Sequence, residues 1–242
     1  MNASDFAAWE THAQWWQDGF TDGADPEYED QIKPIVRTAF AEATRVLEVG
    51  TGEGQLARVI AERECTVVGV DPAHAQLATA RARAGGVEYA HGAVGALPFA
   101  DGAFDGVLAC LVFEHVRDLA PAMGEVARVL APGGRLLVIL NHPLLQAPDS
   151  GWIDDQILGE QYWRIGPYLP EDIRLETLDK GVELPFVHRP TSMYLHAMFA
   201  HGFVLDGFEE PAPTPAFLAR APEYAHQAAF PRILVLHAQK HA

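Results

Sequence analysis

The sequence has few cysteines, few basic residues and no long hydrophobic run, and each shortage excludes a class of protein. Cys65 and Cys110 are the only cysteines among 242 residues, which is too few for a disulfide framework. No apolar stretch approaches the roughly 20 residues that a transmembrane helix needs, and the first residues lack the pattern of a signal peptide. We therefore expect a cytoplasmic protein with no membrane partner.

Basic residues are outnumbered by acidic ones, with 17 Lys and Arg against 33 Asp and Glu and a formal net charge of −16. Nucleic acids are bound mainly through Lys and Arg contacts to phosphate, and anionic membranes attract basic segments. The chain has no Lys/Arg cluster, so we expect no nucleic-acid partner. Hydrophobic residues make up 49% of the sequence, which is typical of a globular protein with a sizeable core.

Short β-branched runs alternate with helical stretches from residue 45 to residue 141, a pattern typical of βαβ units on a parallel sheet. Strands are predicted over 45–50, 66–71, 87–92, 104–111, 135–141, 203–210 and 232–239. The Pro-Gly-Gly turn over 131–134 is expected to end the helix before the fifth of these strands. The predicted fold class is α/β, with a seven-stranded, mainly parallel sheet and helices on both faces.

The segments on either side of this region are rich in aromatic residues, and all five tryptophans lie in them. Phe6, Trp9, Ala13 and Trp16 share one stripe of a predicted helix. A second helix is predicted to begin at Asp25-Pro26, with an interruption at Pro34. Residues 144–190, rich in Pro, Gly, Trp and Tyr, are predicted to form an inserted lid.

The strongest motif is a glycine-rich loop, VLEVGTGEG over 46–54, which follows the first strand and opens a helix. Gly50 and Gly52 permit a tight turn and let the backbone approach a ligand closely. Seventeen residues after Gly54, the second strand ends in Asp71, whose carboxylate can accept hydrogen bonds from both hydroxyls of a ribose. This pairing indicates a cofactor that contains a nucleoside.

Two residues of the loop distinguish between candidate cofactors. The dinucleotide fingerprint requires a third glycine where Gln55 stands, and Glu53 would place negative charge beside a pyrophosphate. An acidic loop favours a ligand with a positive charge and no phosphate. S-adenosylmethionine has both properties, although NAD stays an alternative at this stage.

Several motifs follow one another along the chain: VLEVGTGEG, GVDPA (69–73), GALPFADGAFDGVLA (95–109), FEHVRD (113–118) and EVARVLAPGGRLLV (125–138). In this order and spacing they resemble the class I S-adenosylmethionine-dependent methyltransferases, in particular the methyltransferase type 11 group. The resemblance covers residues 46 to about 140. It implies a Rossmann-like fold, with S-adenosylmethionine as cofactor and S-adenosylhomocysteine as product.

The resemblance also implies roles for single residues. Gly50 and Gly52 would lie against the methionine part of the cofactor, Glu48 near its ammonium group, and Asp71 on the ribose. The full predicted cofactor-binding set is Glu48, Gly50, Thr51, Gly52, Asp71, Pro72, Ala93, Val94, Cys110, Leu111 and His115. The family often has an Asp at the position of Ala93 that accepts a hydrogen bond from adenine, so we expect somewhat weaker cofactor binding here.

Catalytic and substrate-binding residues are predicted outside these motifs. His142, just past the fifth strand, is the first candidate general base, and its alternative is a hydrogen-bonded turn. His188 is the second candidate, and it could instead orient the lid. Aromatic residues of the two flanking segments would line the acceptor pocket or form a small core of their own. The predicted substrate-binding residues are Trp16, Phe20, Tyr28, Tyr162, Trp163, Arg164 and Tyr168.

These inferences predict one methyltransferase domain over 1–242. It comprises a helical cap (1–44), a cofactor-binding core (45–143), the lid (144–190), and a helix and strands that complete the sheet (191–242). The predicted reaction is methyl transfer to a small molecule, with an oxygen nucleophile (hydroxyl or carboxylate) favoured and nitrogen and carbon as alternatives. A catalytically silent S-adenosylmethionine-binding protein and an NAD-dependent oxidoreductase are the competing functions. No metal-ligand spacing is present, and the chain is expected to be a monomer or homodimer.

Overall fold

The computed structural model describes residues 3–241, which form one large sheet, helices on both of its faces and two separate β-hairpins. The α-helices of this range are α1 (Ala3–Thr11), α2 (Ala13–Phe20), α3 (Lys33–Ala39), α4 (Gln55–Ala61), α5 (His74–Arg83), α6 (Leu119–Val129), α7 (Thr191–Ala200) and α8 (Pro215–Arg220). No helix in the described range is long and apolar enough to cross a membrane.

The large sheet contains seven strands and has the predicted α/β, Rossmann-like arrangement. The strands of residues 3–241 are β1 (Arg45–Val49), β2 (Thr66–Asp71), β3 (Val87–His91), β4 (Phe104–Cys110), β5 (Leu130–Asn141), β6 (Gly151–Asp155), β7 (Glu160–Arg164), β8 (Asp172–Asp179), β9 (Val182–His188), β10 (Phe203–Glu209) and β11 (Ile233–Lys240). The sheet order is β10-β11-β5-β4-β1-β2-β3, and β11 runs antiparallel to both of its neighbours. The strand order reverses between β1 and β4, which is where sheets of this kind bind ligands.

Alternate residues of the central strands point to opposite faces, and each face has its own core. On one face Leu47 and Val49 of β1 pack with α6 and α7. On the other face Val46 packs with Leu56 and Ile60 of α4 and with the segment that precedes α3. The near-continuous apolar runs of these strands follow from this burial on both faces.

The boundary of β5 is a correction to the sequence-based prediction. Instead of forming a turn at 131–134, the chain enters the strand directly at Leu130, which pairs with Phe104. The Pro-Gly-Gly sequence does make the strand irregular. The pairing of β4 with β5 shifts register between Phe104 and Gly106, and Gly133 has a positive φ of 76°. Glycine tolerates this backbone conformation at little cost, so the strand continues through it.

The amino-terminal segment also differs in detail from the prediction. One predicted helical stripe is divided into α1 and α2 at His12. The second helix begins as predicted, with the Asp25 side chain accepting a hydrogen bond from the Glu27 N–H at 2.7 Å. Pro34 cannot donate to a carbonyl four residues earlier, and a π-helical turn over Tyr28–Ile32 precedes it.

The lid segment 144–190 contains two antiparallel hairpins, β6–β7 and β8–β9. Strand β9 packs against α1 and against the short 3₁₀ helix Phe113–His115 that follows β4. The indole N–H of Trp15 donates to the Asp179 carboxylate at 3.3 Å, which joins α2 to the second hairpin. The amino-terminal helices and the β8–β9 hairpin therefore contact each other at the carboxyl edge of the sheet.

Candidate functional site

A cavity of about 940 Å³, including its open mouth, lies at the carboxyl ends of β1, β2 and β4, beneath α1 and α2. Its position matches the point where the strand order reverses. The structure brings all of the predicted cofactor residues together on its wall. The predicted site residues that line it are Trp16, Tyr28, Glu48, Gly50, Thr51, Gly52, Asp71, Pro72, Ala93, Val94, Cys110, Leu111 and His115.

The glycine-rich loop forms one wall, and its glycines are needed for their backbone conformation. Gly50, Gly52 and Gly54 have φ values of 66°, 55° and 82°, which side-chain-bearing residues rarely adopt. A Cβ at Gly50 would lie 2.4 Å from the Val112 side chain, whereas a Cβ at Gly52 would have only the Trp16 indole nitrogen near it, at 4.0 Å. The backbone of Gly52 is therefore open to the cavity.

Asp71 connects the end of β2 to this loop. Its carboxylate accepts hydrogen bonds from the Gly52 N–H and the Ala73 N–H, each at 2.8 Å. Burial raises the pKa of Asp71 to about 6, although these two hydrogen bonds favour the ionised form. The carboxylate is thus fixed in place at the cavity wall. A hydrogen-bond donor or a cation beside it would lower its pKa.

Glu48 lies on β1 below the loop and is almost fully buried. Its carboxylate accepts a hydrogen bond from the Thr51 hydroxyl. Burial raises the pKa of Glu48 to about 8, and the neighbouring charge of Glu53 acts in the same direction. In the ligand-free protein this side chain is therefore mainly protonated at neutral pH.

Glu53 supplies a third carboxylate to the cavity wall. Two arginines that do not line the cavity compensate its charge. Arg58 and Arg83 donate to one carboxylate oxygen at 2.7 and 2.5 Å. The other oxygen of Glu53 is buried without a hydrogen-bond partner in the described range. No Lys or Arg is among the described residues that line the cavity, so the wall favours a cation over a phosphate.

Aromatic side chains of the amino-terminal helices cover the cavity. The Trp16 ring stacks on Phe20 with 4.3 Å between centroids, and it meets Trp9 and Tyr28 edge to face at 5.5 and 6.3 Å. Phe20 supports Trp16 from behind and is not itself on the wall. The cover is therefore one connected aromatic cluster.

His115 joins this cover to the β8–β9 hairpin. Its Nδ1 lies 2.7 Å from the Pro185 carbonyl oxygen, so Nδ1 carries the proton and donates. The ring lies edge to face with Trp9 and Phe186, at 4.9 and 5.8 Å. Burial lowers the pKa of His115 to about 4, which keeps the ring neutral at physiological pH.

Leu111, at the end of β4, has a positive φ of 54°. Non-glycine residues adopt this conformation at a cost of about 1–3 kcal/mol, and they concentrate at ligand sites. The Leu111 N–H is held by the Ile139 carbonyl at 2.8 Å. The strain therefore lies where β4 meets the cavity, next to Cys110.

Comparisons with known proteins show the family of this chain. A family model described as a methyltransferase domain matches residues 47–138. The solved structure of an S-adenosylmethionine-dependent methyltransferase from Mesorhizobium loti is 31% identical to this chain. The match covers 86% of this chain and 96% of the Mesorhizobium chain, with a TM-score of 0.76. The chain belongs to the S-adenosylmethionine-dependent methyltransferases. The cofactor of this family is S-adenosylmethionine.

Two curated relatives match over shorter stretches. A demethylmenaquinone methyltransferase from Thermus thermophilus is 46% identical over 101 residues, which is 39% of this chain and 46% of the relative. An uncharacterized methyltransferase from Mycobacterium sp. (strain JLS) is 32% identical over 179 residues, 74% of this chain and 65% of the relative. The chain thus matches less than two thirds of the length of either relative.

Within this methyltransferase fold, neither predicted general base lies on the cavity wall. His142 is buried, with Nε2 2.8 Å from a Glu210 carboxylate oxygen and Nδ1 accepting from the Leu144 N–H at 3.3 Å. His188 is also buried, with Nε2 2.7 Å from the Tyr168 carbonyl oxygen. The Nδ1 atom of His188 has no partner among the described residues.

The remaining predicted substrate residues lie in the lid, away from the cavity. Tyr162, Trp163 and Arg164 belong to β7, where the Trp163 ring is 5.9 Å from Phe230. The Arg164 guanidinium donates to the Asp149 carbonyl at 2.8 Å. The Tyr168 hydroxyl donates to the Thr191 hydroxyl at 3.1 Å and accepts from the Thr191 N–H at 2.9 Å. These side chains thus form contacts within the lid and to its flanks.

Several residues on the wall were not predicted as site residues. Phe6 and Trp9 belong to the predicted amino-terminal stripe, so their helical spacing carried a usable signal. Gln55 stands where the dinucleotide fingerprint has glycine, and its side-chain amide donates to the Phe20 carbonyl at 3.1 Å, which ties α2 to the loop. The other unpredicted wall residues are Glu53, Leu56, Gln76, Val112 and Val116.

Proposed function

We propose that this chain transfers the methyl group of S-adenosylmethionine to a small-molecule acceptor. The supporting observation is the cavity where the strand order reverses, whose wall has three carboxylates and no described Lys or Arg. S-adenosylmethionine carries a sulfonium and an ammonium and has no phosphate, so its charges complement this wall. The described wall offers no Lys or Arg to a pyrophosphate, and this disfavours NAD.

The residues present fit this cofactor one by one. The open backbone of Gly52 and the positive φ values of the loop leave room for the methionine part, with Glu48 near its ammonium. The fixed Asp71 carboxylate is suited to the ribose hydroxyls. Pro72 and the backbone of Ala93 and Val94 would border the adenine. When bound, the cofactor supplies a methyl carbon that its sulfonium has already activated for displacement.

The aromatic cover supports a small, partly apolar acceptor. Trp9, Trp16 and Tyr28 line the cavity, and the Trp16 indole nitrogen lies beside the glycine loop, 4.0 Å from where a Cβ at Gly52 would be. The Thermus relative is named a demethylmenaquinone methyltransferase, and a quinone is a partly apolar ring compound. We favour an oxygen nucleophile, and the protein's contribution is then to position the acceptor, exclude water and receive a proton.

Calorimetric titration with S-adenosylhomocysteine, S-adenosylmethionine and NAD tests the cofactor assignment. We expect saturable binding of the two sulfur compounds and no binding of NAD. Binding of NAD alone would overturn the proposal in favour of an oxidoreductase. Cofactor binding without methyl transfer to any of a panel of phenols, carboxylic acids and amines would favour the silent binding protein, for which Ala93 is the supporting residue.

A further inference from the structure

We propose that the β8–β9 hairpin is a homodimer interface, at which β8 pairs antiparallel with β8 of a second copy of this chain. The surface concerned is the outer edge of β8 (Asp172–Asp179). Within the described residues, β8 pairs with β9 along one edge and with no strand along the other. An unpaired edge presents a row of backbone N–H and C=O groups, so it can accept one further strand.

The side chains of β8 are arranged the opposite way from those of a strand that packs on its own core. Arg174 lies opposite Phe186 of β9, on the face from which the Phe186 ring meets His115 edge to face at 5.8 Å. Ile173 and Leu175 point to the other face and are 46% and 64% exposed. A strand with one solvated face normally buries its apolar side chains and exposes its polar ones. The exposed apolar face of β8 therefore indicates a partner.

The hairpin also has little to prevent such pairing. A two-stranded hairpin is marginally stable on its own, and pairing across β8 would give a four-stranded sheet, β9-β8-β8-β9. Natural proteins protect edge strands with proline and lysine. The sequence of β8, DIRLETLD, contains neither residue.

A twofold axis restricts how two copies of β8 can pair. The axis must pass through one residue, which then faces its own copy, because residues paired across a sheet share a face. With the axis at Leu175, Arg174 of each copy faces Glu176 of the partner subunit. Ile173 then faces Thr177, and the two Leu175 side chains meet at the centre. Opposite charges and apolar side chains are thus matched across the strands.

Other positions of the axis are less favourable. An axis at Arg174 places two guanidinium groups opposite each other, and an axis at Glu176 places two carboxylates together. An axis at Ile173 pairs only the first three residues of β8. An axis at Thr177 falls where the pairing of β8 with β9 shifts register. Among the central residues of β8, Leu175 is therefore the position about which the strand is complementary to itself.

The charge of the hairpin favours a second copy over a lipid surface. Residues 171–183 contain five acidic and two basic side chains. Anionic lipid surfaces attract basic segments, so an acidic hairpin is unsuited to them. In the dimer, by contrast, the charges on either side of the axis are each matched by an opposite one.

The proposed interface belongs to the hairpin that contacts the aromatic cover. The Pro185 carbonyl of β9 accepts a hydrogen bond from His115 Nδ1 at 2.7 Å. The Asp179 carboxylate, at the end of β8, accepts from the Trp15 indole at 3.3 Å. Dimerisation would therefore link the covers of two cavities through the paired hairpins.

Sedimentation velocity over a range of protein concentrations tests this interface. The wild type should pass from monomer to dimer as its concentration rises. Leu175→Lys places two ammonium groups at the axis and should abolish the dimer. The matched control is Leu158→Lys, in the β6–β7 turn, because Leu158 is 67% exposed and Leu175 is 64% exposed. This control should dimerise as the wild type does.

A charge exchange tests the register. Arg174→Glu and Glu176→Arg each place like charges opposite each other in two symmetry-related pairs, and each should weaken the dimer by about 2- to 30-fold. The double variant exchanges the two charges and should restore most of the affinity. Melting temperatures measured below the dissociation constant of the dimer should stay close to that of the wild type, which separates a lost interface from a lost fold.

A wild type that stays monomeric at all concentrations overturns the proposal. A dimer that Leu175→Lys leaves intact also overturns it, because association then uses another surface. Equal weakening in the single and double charge variants overturns the pairing about Leu175. Binding of a monomeric wild type to phosphatidylcholine vesicles, lost in Leu175→Lys and kept in Leu158→Lys, would overturn the dimer and assign the surface to lipid.

Discussion

Cofactor binding should release a proton from Glu48. This side chain is buried at the bottom of the cavity, accepts a hydrogen bond from Thr51, and has a pKa raised by burial to about 8. In the ligand-free protein at pH 7 it is therefore mainly protonated. An ammonium group placed beside it would favour the carboxylate, because an opposite charge at short distance stabilises the ionised form. Binding and ionisation are then coupled.

The size of the effect follows from the pKa. At about pH 7 roughly one tenth of the Glu48 side chains are ionised, so ionisation costs about 1.4 kcal/mol of binding free energy. The affinity for S-adenosylhomocysteine should rise about tenfold from about pH 6 to about pH 7, and it should level off above about pH 8. Asp71, with a pKa of about 6, adds little to the change above neutral pH.

Calorimetry in two buffers of different ionisation enthalpy measures the number of protons released. Close to one proton is expected from the wild type near neutral pH, and close to none from Glu48→Gln, whose affinity should also vary little with pH. Glu62→Gln serves as a control for removal of a carboxylate elsewhere. Equal proton release from the wild type and Glu48→Gln would refute the reasoning.

Three further predictions concern stability and the glycine loop. Because the folded protein raises the Glu48 pKa from 4.5 to about 8, the carboxyl favours folding most below about pH 4.5. It loses roughly 1.4 kcal/mol per pH unit up to about pH 8, so Glu48→Gln should flatten the dependence of melting temperature on pH. Gly52→Ala and Gly133→Ala should each cost about 1–2 kcal/mol, because both residues have positive φ. Only Gly52→Ala should weaken cofactor binding in calorimetry, since its Cβ enters the cavity. Arg189→Met leaves three backbone carbonyls without their donor and should lower the melting temperature by about 6–12 °C, for a cost of about 3 kcal/mol. Arg174→Met, at a surface pair, should change it little. An unchanged melting temperature in Arg189→Met would contradict this account.

The sheet and the glycine loop could be predicted because their causes are local in sequence. Strands buried on both faces need continuous apolar runs, and the loop needs glycine at its positive-φ positions. The boundary of β5 could not be predicted, since the pairing of Leu130 with Phe104 depends on a strand 26 residues away. A Pro-Gly-Gly sequence favours a turn locally, and here the sheet register prevails over that preference.

The side chains predicted as catalytic or substrate-binding have distant partners that the sequence pattern does not reveal. His142 is buried beside Glu210, and Trp163 packs on Phe230. Neither partner belongs to a recognisable motif. Trp16 and Tyr28, by contrast, were predicted from the aromatic enrichment of the first segment, and both line the cavity. Aromatic composition thus indicated a segment that contributes to the cavity wall, but it did not show which lid residues lie away from the cavity.

The acidic residues behind the net charge of −16 differ in how strongly salt screens them. Most acidic side chains are exposed, where salt screens them within about 10 Å. Glu48 and Asp71 are buried and screened much less, and burial raises the pKa of both. Ionisation of these two carboxyl groups is therefore unfavourable, and a cation bound beside them would favour it. It follows that salt should affect cofactor affinity far less than pH does, because buried carboxyl groups are screened less than exposed ones.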